Sequence, residues 1–171
     1  GAGTRLWPNS KNHQAKQFID FGNWTLLGKT LERTKASIFD APVISTNKKY
    51  LKQVKQHLKK LKISKYKIVL EPAKRNTAPA ILSTALIKDI PDNQPLMFFT
   101  ADHLIEKMSI FNKAINKNKS NLNKENIFIF GIKPTSPSSE YGYFLTKKIK
   151  GNINKVTRFI EKPKEAKAKQ I

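Results

Sequence analysis

A chain of 171 residues without cysteine holds no disulfide, no thiolate metal site and no cysteine nucleophile. No run approaches the ~18 consecutive apolar residues of a membrane helix and no secretory leader is apparent, so a cytoplasmic protein without membrane partners is expected. The net charge of +21 points toward a polyanion, yet only Arg5, Arg33, Arg75 and Arg158 are arginines among 33 basic residues, leaving 29 lysines.

Binders of phosphate backbones use more of arginine's planar fork. These lysines are spread through every expected helix and turn, beside abundant Asn and Ile. A compositional bias accounts for that pattern, and nucleic acid is not the expected partner. A Lys-rich polyanion-binding α/β domain remains as an alternative.

The chain opens on Gly1, Ala2, Gly3, Thr4 and Arg5. Small residues let backbone N–H groups approach an anion, and an arginine adds a bidentate contact to phosphate. The spacing fits neither the dinucleotide-binding nor the Walker pattern, and taken alone it reads more readily as a plain turn. "AKQF" follows with Lys16, a dozen residues on. Thr25 is expected to cap a helix over 26–37, with Leu26, Leu27 and Leu31 facing inward.

"APVIST" (41–46) predicts a strand, and 47–62 an amphipathic helix with Leu51, Val54, Leu58 and Leu61 on one face. "KYKIVLEP" predicts a second strand. "RNTAPAILSTALIKDI" predicts a helix capped by Asn76 or Thr77, with Pro79 in its first turn. A buried third strand is expected in "QPLMFFTADH", a helix capped by Ser109 in "SIFNKAINKNK", and a fourth strand in "ENIFIFGIKP". After Pro137, two extended segments around a Lys-Gly-Asn turn predict a hairpin, and the tail starts a short helix.

Strands alternating with helices imply βαβ units and a mostly parallel sheet covered on both sides. In such folds a glycine-rich turn follows a central first strand. Here the turn stands at residue 1, so the expectation is one incomplete domain over 1–171, cut just after its first strand and again at its end. Glu71, Arg75, Asn76 and Asp102 then fall at strand ends, on the edge where open α/β sheets bind ligands. Glu161 and Lys162 stand before another proline.

The phrases Gly-Ala-Gly-Thr-Arg-Leu-Trp-Pro (1–8), Lys-Gln-Phe (16–18), Glu-Pro-Ala-Lys-Arg-Asn-Thr-Ala-Pro-Ala (71–80), Asp-His (102–103) and Glu-Lys-Pro (161–163) occur in that order. In these the chain resembles the mannose-1-phosphate guanylyltransferases, or GDP-mannose pyrophosphorylases, of the bacterial type often fused to an isomerase. The resemblance implies a Rossmann-like, GT-A-like three-layer α/β sandwich with a mostly parallel mixed sheet. It implies guanylyl transfer from GTP to mannose 1-phosphate, with Mg2+ as cofactor, and is compatible with a homo-oligomer.

By the same resemblance, Gly1, Ala2, Gly3, Thr4 and Arg5 would hold the triphosphate, and Lys16 would stabilise charge growing at the α-phosphate. Asp102 would ligate Mg2+, and Glu71, Arg75 and Asn76 would lie near the guanine. Tyr141, Gly142 and Tyr143 would line the sugar pocket, with Glu161 on the sugar hydroxyls and Lys162 on its phosphate. His103, a poor Mg2+ ligand on hardness grounds, would hydrogen-bond nearby backbone.

Each residue also has a plainer reading. Arg75 could simply pair with Glu71, Asp102 could cap a turn, and Glu161 with Lys162 could be a solvated pair. Tyr141 and Tyr143 could pack one face of a strand. The chain departs from the family at Ala15, where Tyr-Pro is usual before Lys-Gln-Phe. It departs again at Ser138-Ser139-Glu140, where Glu-Thr-Gly is usual and glycine's backbone freedom is lost. A second metal-binding aspartate is expected beyond residue 171, so the 171 residues alone are not expected to turn over. Another sugar-1-phosphate nucleotidyltransferase, using dTTP or UTP, stays open.

Overall fold

The computed structural model describes residues 15–73, 76–123, 125–151 and 153–171, the side chain of Lys150 excepted. The chain forms two compact units, Gly1–Lys124 and Glu125–Ile171.

In the first unit a single turn of 3-10 helix, Lys16–Phe18, leads into a tight reversal. Gly22 and Asn23 both take positive φ, 77° and 76°, as the two central residues of a mirror-image hairpin turn require. Phe21 N donates to Trp24 O at 2.9 Å, Asp20 bridges Thr25, and the rings of Phe21 and Trp24 stack at 4.8 Å. The reversal delivers Thr25 as the N-cap of α1 (Leu26–Arg33), its hydroxyl accepting from Gly28 N as expected.

A βαβ unit follows: β1 (Val43–Asn47), α2 (Leu51–Lys60) and β2 (Lys67–Glu71). The two strands pair in parallel, with Val43 opposite Lys67 and Asn47 opposite Glu71. The apolar stripe of α2 packs as its periodicity predicts, with Val54 and Leu58 almost fully buried. They join Phe18, Leu27 and Leu31 in the core, flanked by Ala15, Ile44, Ile68 and Ala101 among others. Two later helices complete this unit, α3 (Thr77–Ala85) and α4 (Met108–Asn118).

Three local expectations need correction. The expected third and fourth strands, 94–103 and 125–134, carry no strand ladder among the described residues. A strand is held by hydrogen bonds to a neighbour, and here no neighbour is paired. Phe98 is 43 % exposed and Ile132 91 %, so neither segment is buried as a central strand would be. Finally, α4 begins one residue earlier than its expected cap: Lys107 is the N-cap and Ser109 lies inside the first turn.

The second unit is built on the expected hairpin, β3 (Tyr143–Lys150) antiparallel to β4 (Ile153–Ile160). Gly151 turns it at a φ of 57°. A short α5 (Glu165–Ala168) ends the chain.

Candidate active site

In the first unit the site grows out of the core. The 3-10 turn closes because Phe18 N donates to Ala15 O at 2.9 Å and Ile19 N to Lys16 O at 3.3 Å. Phe18 and Ile19 are buried, and the Phe18 ring lies 5.2 Å from Tyr50 and 5.8 Å from His57. His57 in turn bonds Gln53 O through Nδ1 and Thr25 Oγ1 through Nε2, tying α2 to the cap of α1. With Ala15 and Phe18 packed, Lys16 is left half-buried. Its Nζ stands 3.3 Å from Asp102 Oδ2, and the two side chains are 35 % and 37 % exposed.

Asp102 follows Ala101, which itself packs against the core, so both members of the ion pair are adjacent to residues seated on one apolar cluster. Two residues of α1 also hold the Asp102 segment. Arg33, only 3 % exposed, donates through Nη2 to Thr30 Oγ1 at 2.8 Å and to His103 O. The Thr30 hydroxyl donates on to Thr100 O at 3.5 Å. The contact made here uses the backbone carbonyl of His103, not the imidazole that was expected to bond nearby backbone.

Glu71 ends β2, where Ser45 Oγ donates to its Oε1 at 2.6 Å and Asn47 Nδ2 to its carbonyl at 3.3 Å. The carboxylate is thereby fixed to β1. Asn76 is the N-cap of α3 but makes no side-chain capping bond, and its φ is 66° with ψ −167°. Gly1, Ala2, Gly3, Thr4, Arg5 and Arg75 lie outside the described residues, and with them the proposed Arg75–Glu71 pair.

The second unit holds its own constellation. A Cβ on Gly142 would stand 2.5 Å from the Phe159 ring and 3.0 Å from Glu161 Oε2, so the bare backbone here is filled by two side chains from the end of β4 onward. Phe159 leans on Phe144 with centroids 5.3 Å apart. Glu161 Oε1 pairs with Lys162 Nζ at 3.4 Å, both more than half exposed. Lys162 adopts a φ of 41° immediately before Pro163.

Tyr143 is buried, and its hydroxyl accepts from Ser138 N at 2.8 Å and donates to Ser138 O at 2.9 Å. Tyr141 is 66 % exposed. The two tyrosines therefore do not share one packed face: Tyr143 pins the loop that carries Tyr141 and Gly142. Among the described residues the non-glycines with positive φ are Asn23, Lys62, Asn76 and Lys162. Glu140 is not one of them, so its place needs none of glycine's freedom.

Four non-glycine residues in that sparse region need reasons. Asn23 serves the tight turn, and Lys62 closes α2, with Ile63 N reaching back to Leu58 O at 2.9 Å. The remaining two, Asn76 and Lys162, are both candidate site residues. Backbone strain of this type, on the order of 1–3 kcal/mol, persists where surrounding structure enforces it.

Among the described residues no three His, Cys, Asp or Glu side chains converge on a metal site. Asp102 offers one half-exposed hard carboxylate, with Oδ2 bonded to Lys16. That suits Mg2+, which keeps several waters and takes one or two carboxylates together with substrate phosphates.

The sequence reading missed Thr30, Arg33 and Phe159. A signal for the first two was present: Leu26, Thr30 and Arg33 recur at spacings of four and three along the buried stripe of α1. A cation on such a stripe needs polar partners.

The family model described as nucleotidyl transferase matches residues 1–171. The mannose-1-phosphate guanylyltransferase of Escherichia coli is 36 % identical over 172 residues, covering 95 % of this chain and 37 % of that protein. The alginate biosynthesis protein AlgA of Pseudomonas aeruginosa is 32 % identical over 177 residues, covering 100 % and 37 %. This chain thus spans little more than a third of the length of these relatives. Among solved structures, the mannose-1-phosphate geranyltransferase of Thermus thermophilus superposes with a TM-score of 0.77 at 26 % identity, covering 99 % of this chain and 50 % of that one. The mannose-6-phosphate isomerase of Helicobacter pylori gives 0.73 at 30 % identity, covering 91 % and 60 %. The Rossmann-like α/β class expected from the sequence agrees with these matches.

Proposed function

This chain belongs to the nucleotidyl transferase family, and we propose that it carries guanylyl transfer from GTP to mannose 1-phosphate, giving GDP-mannose and pyrophosphate. Relatives that bear the name mannose-1-phosphate guanylyltransferase support the substrate pair. The observation that carries the chemistry is the Lys16–Asp102 pair at 3.3 Å, a cation and a hard anion held side by side at the end of the 94–103 segment.

In the reaction a phosphate oxygen of mannose 1-phosphate bonds to the α-phosphorus of GTP. The bond from that phosphorus to the β-phosphate oxygen breaks, and the electron pair leaves with pyrophosphate. Transfers of this kind depend on positioning and charge neutralisation. Lys16 meets the negative charge that grows on the α-phosphate and leaving group, a preorganised donor of the type worth most where water is excluded.

Asp102 would hold Mg2+, which would supply charge neutralisation at the phosphates. The family resemblance assigns the triphosphate to Gly1, Ala2, Gly3, Thr4 and Arg5, residue types able to supply backbone N–H groups and a guanidinium. The family resemblance assigns Glu71, Arg75 and Asn76 to the neighbourhood of the base, and Glu71 is held by Ser45. Tyr141 and Gly142 border the sugar, Glu161 accepts from its hydroxyls, and Lys162 pairs with its phosphate.

The test is pyrophosphate release by the protein at its full natural length with Mg2+, crossing GTP, dTTP and UTP against mannose and glucose 1-phosphates, with Asp102→Ala as control. Release confined to GTP with mannose 1-phosphate and lost in the control supports the proposal. Release with another pair keeps the nucleotidyl chemistry and overturns the substrate assignment. Silence from the folded protein, with polyanion binding that falls steeply with salt, favours the basic-domain alternative.

A further inference from the structure

Arg33 is a buried cation without an ion-pair partner among the described residues. Burying a guanidinium is costly unless its N–H groups are satisfied, and desolvation pulls its pKa below the ordinary arginine value. What satisfies it is informative. Nε donates to Lys29 O at 3.4 Å, within its own helix. Nη2 reaches Thr30 Oγ1 and the carbonyl of His103, seventy residues away. Its carbon lies 5.6 Å from the centroid of the Phe99 ring, a cation–π distance.

The partner hydroxyl of Thr30 continues the chain to Thr100 O. One side-chain pair on α1 therefore contacts residues 99, 100 and 103, which bracket Asp102 on both sides. Phe99 is itself wedged between Phe39 and Phe111, at 5.5 and 6.0 Å. An apolar side chain at position 33 would fill the space but bond neither the Thr30 hydroxyl nor the His103 carbonyl.

We propose that Arg33 and Thr30 form a clamp that positions Asp102, fixing its carboxylate beside Lys16 for the divalent cation that accompanies GTP. The clamp acts through backbone, and neither residue touches substrate. It deepens the functional reading above and rests on it.

The experiment is calorimetric titration of GTP into the full chain, with Mn2+ and separately with EDTA, for wild type and for Asp102→Asn, Arg33→Met, Arg33→Lys and Thr30→Val. The ratio of the two dissociation constants isolates the metal-dependent part of binding, which a general loss of packing does not single out. Asp102→Asn should bring the ratio close to one. Arg33→Met should lower it at least fivefold, and Thr30→Val, nearly isosteric, should lower it less. Arg33→Lys, a point charge that cannot hold two acceptors in a fork, should fall between wild type and Arg33→Met. Should Arg33→Met not fold, Thr30→Val and Arg33→Lys decide. Ratios equal to wild type in the folded variants, while Asp102→Asn abolishes the effect, overturn the clamp and leave the guanylyl-transfer reading intact. A wild-type protein with no metal-dependent GTP binding overturns both.

Discussion

Lys16 and Asp102 stand 86 residues apart in the chain, yet Lys16 Nζ lies 3.3 Å from Asp102 Oδ2. The neighbours of both residues, Ala15 and Ala101, rest on one apolar cluster, so the core itself sets the distance. The pair is more than a third exposed on average, which places its contribution to stability under about 1 kcal/mol after solvent screening. Lys16→Met should therefore lower kcat for pyrophosphate release by about 100-fold, the usual cost of removing one preorganised donor. Urea denaturation should move little. A loss of stability as large as the loss of rate would show Lys16 to be structural.

The core that holds this pair has a direct test in Leu58, which is 1 % exposed. Leu58→Ala leaves a cavity between α1 and α2 and should cost about 2–5 kcal/mol in urea unfolding. A change below about 1 kcal/mol would mean that the cluster does not support the fold as described.

At Gly142 a Cβ would collide with the far edge of the Phe159 ring and press on Glu161. Phe159 is about half exposed, so its ring can swing away at small cost to stability. The side chains it was braced against then shift. Gly142→Ala should raise KM for mannose 1-phosphate several-fold, leave KM for GTP near wild type, and change unfolding free energy by about 1 kcal/mol or less. Equal rises in both KM values would contradict a sugar-side role.

Acid sensitivity has an identifiable contributor in Asp89. A hydrogen bond and charge attraction from Lys67, 2.9 Å away, hold its carboxyl pKa below the ordinary value. The folded state keeps this group ionised more firmly than the unfolded chain does. Its stabilisation is thus present above the unfolded Asp pKa of about 3.9 and is lost as pH falls toward the folded value. Asp89→Asn should flatten the decline of the urea midpoint below about pH 4, and added salt should flatten the wild type similarly. An unchanged slope in the variant would remove Lys67–Asp89 from the account.

What could be read from sequence was whatever local chemistry decides. Thr25 capping α1, the Val54–Leu58 stripe of α2 and the turn at Gly151 each follow from residue type and spacing, and each is present. The strands expected at 94–103 and 125–134 failed because a ladder depends on a partner, which an apolar run does not supply. The pairing of Lys16 with Asp102 was anticipated only as two residues serving one site; their contact is tertiary. The Arg33 clamp was hidden for a similar reason, since its partners His103 and Thr100 contribute only backbone carbonyls, and a backbone acceptor leaves no mark in the sequence. Phe159 went unnoticed because its role depends on the absent side chain of Gly142 across the hairpin.

The most direct measurement is 31P NMR of GTP and mannose 1-phosphate incubated with the protein at its full natural length and Mg2+, beside its Lys16→Met and Asp102→Asn variants. The account predicts GDP-mannose and pyrophosphate resonances growing together with wild type, at the expense of both substrates, and strongly slowed in either variant. GTP that stays intact, or that is hydrolysed while mannose 1-phosphate is untouched, would contradict guanylyl transfer.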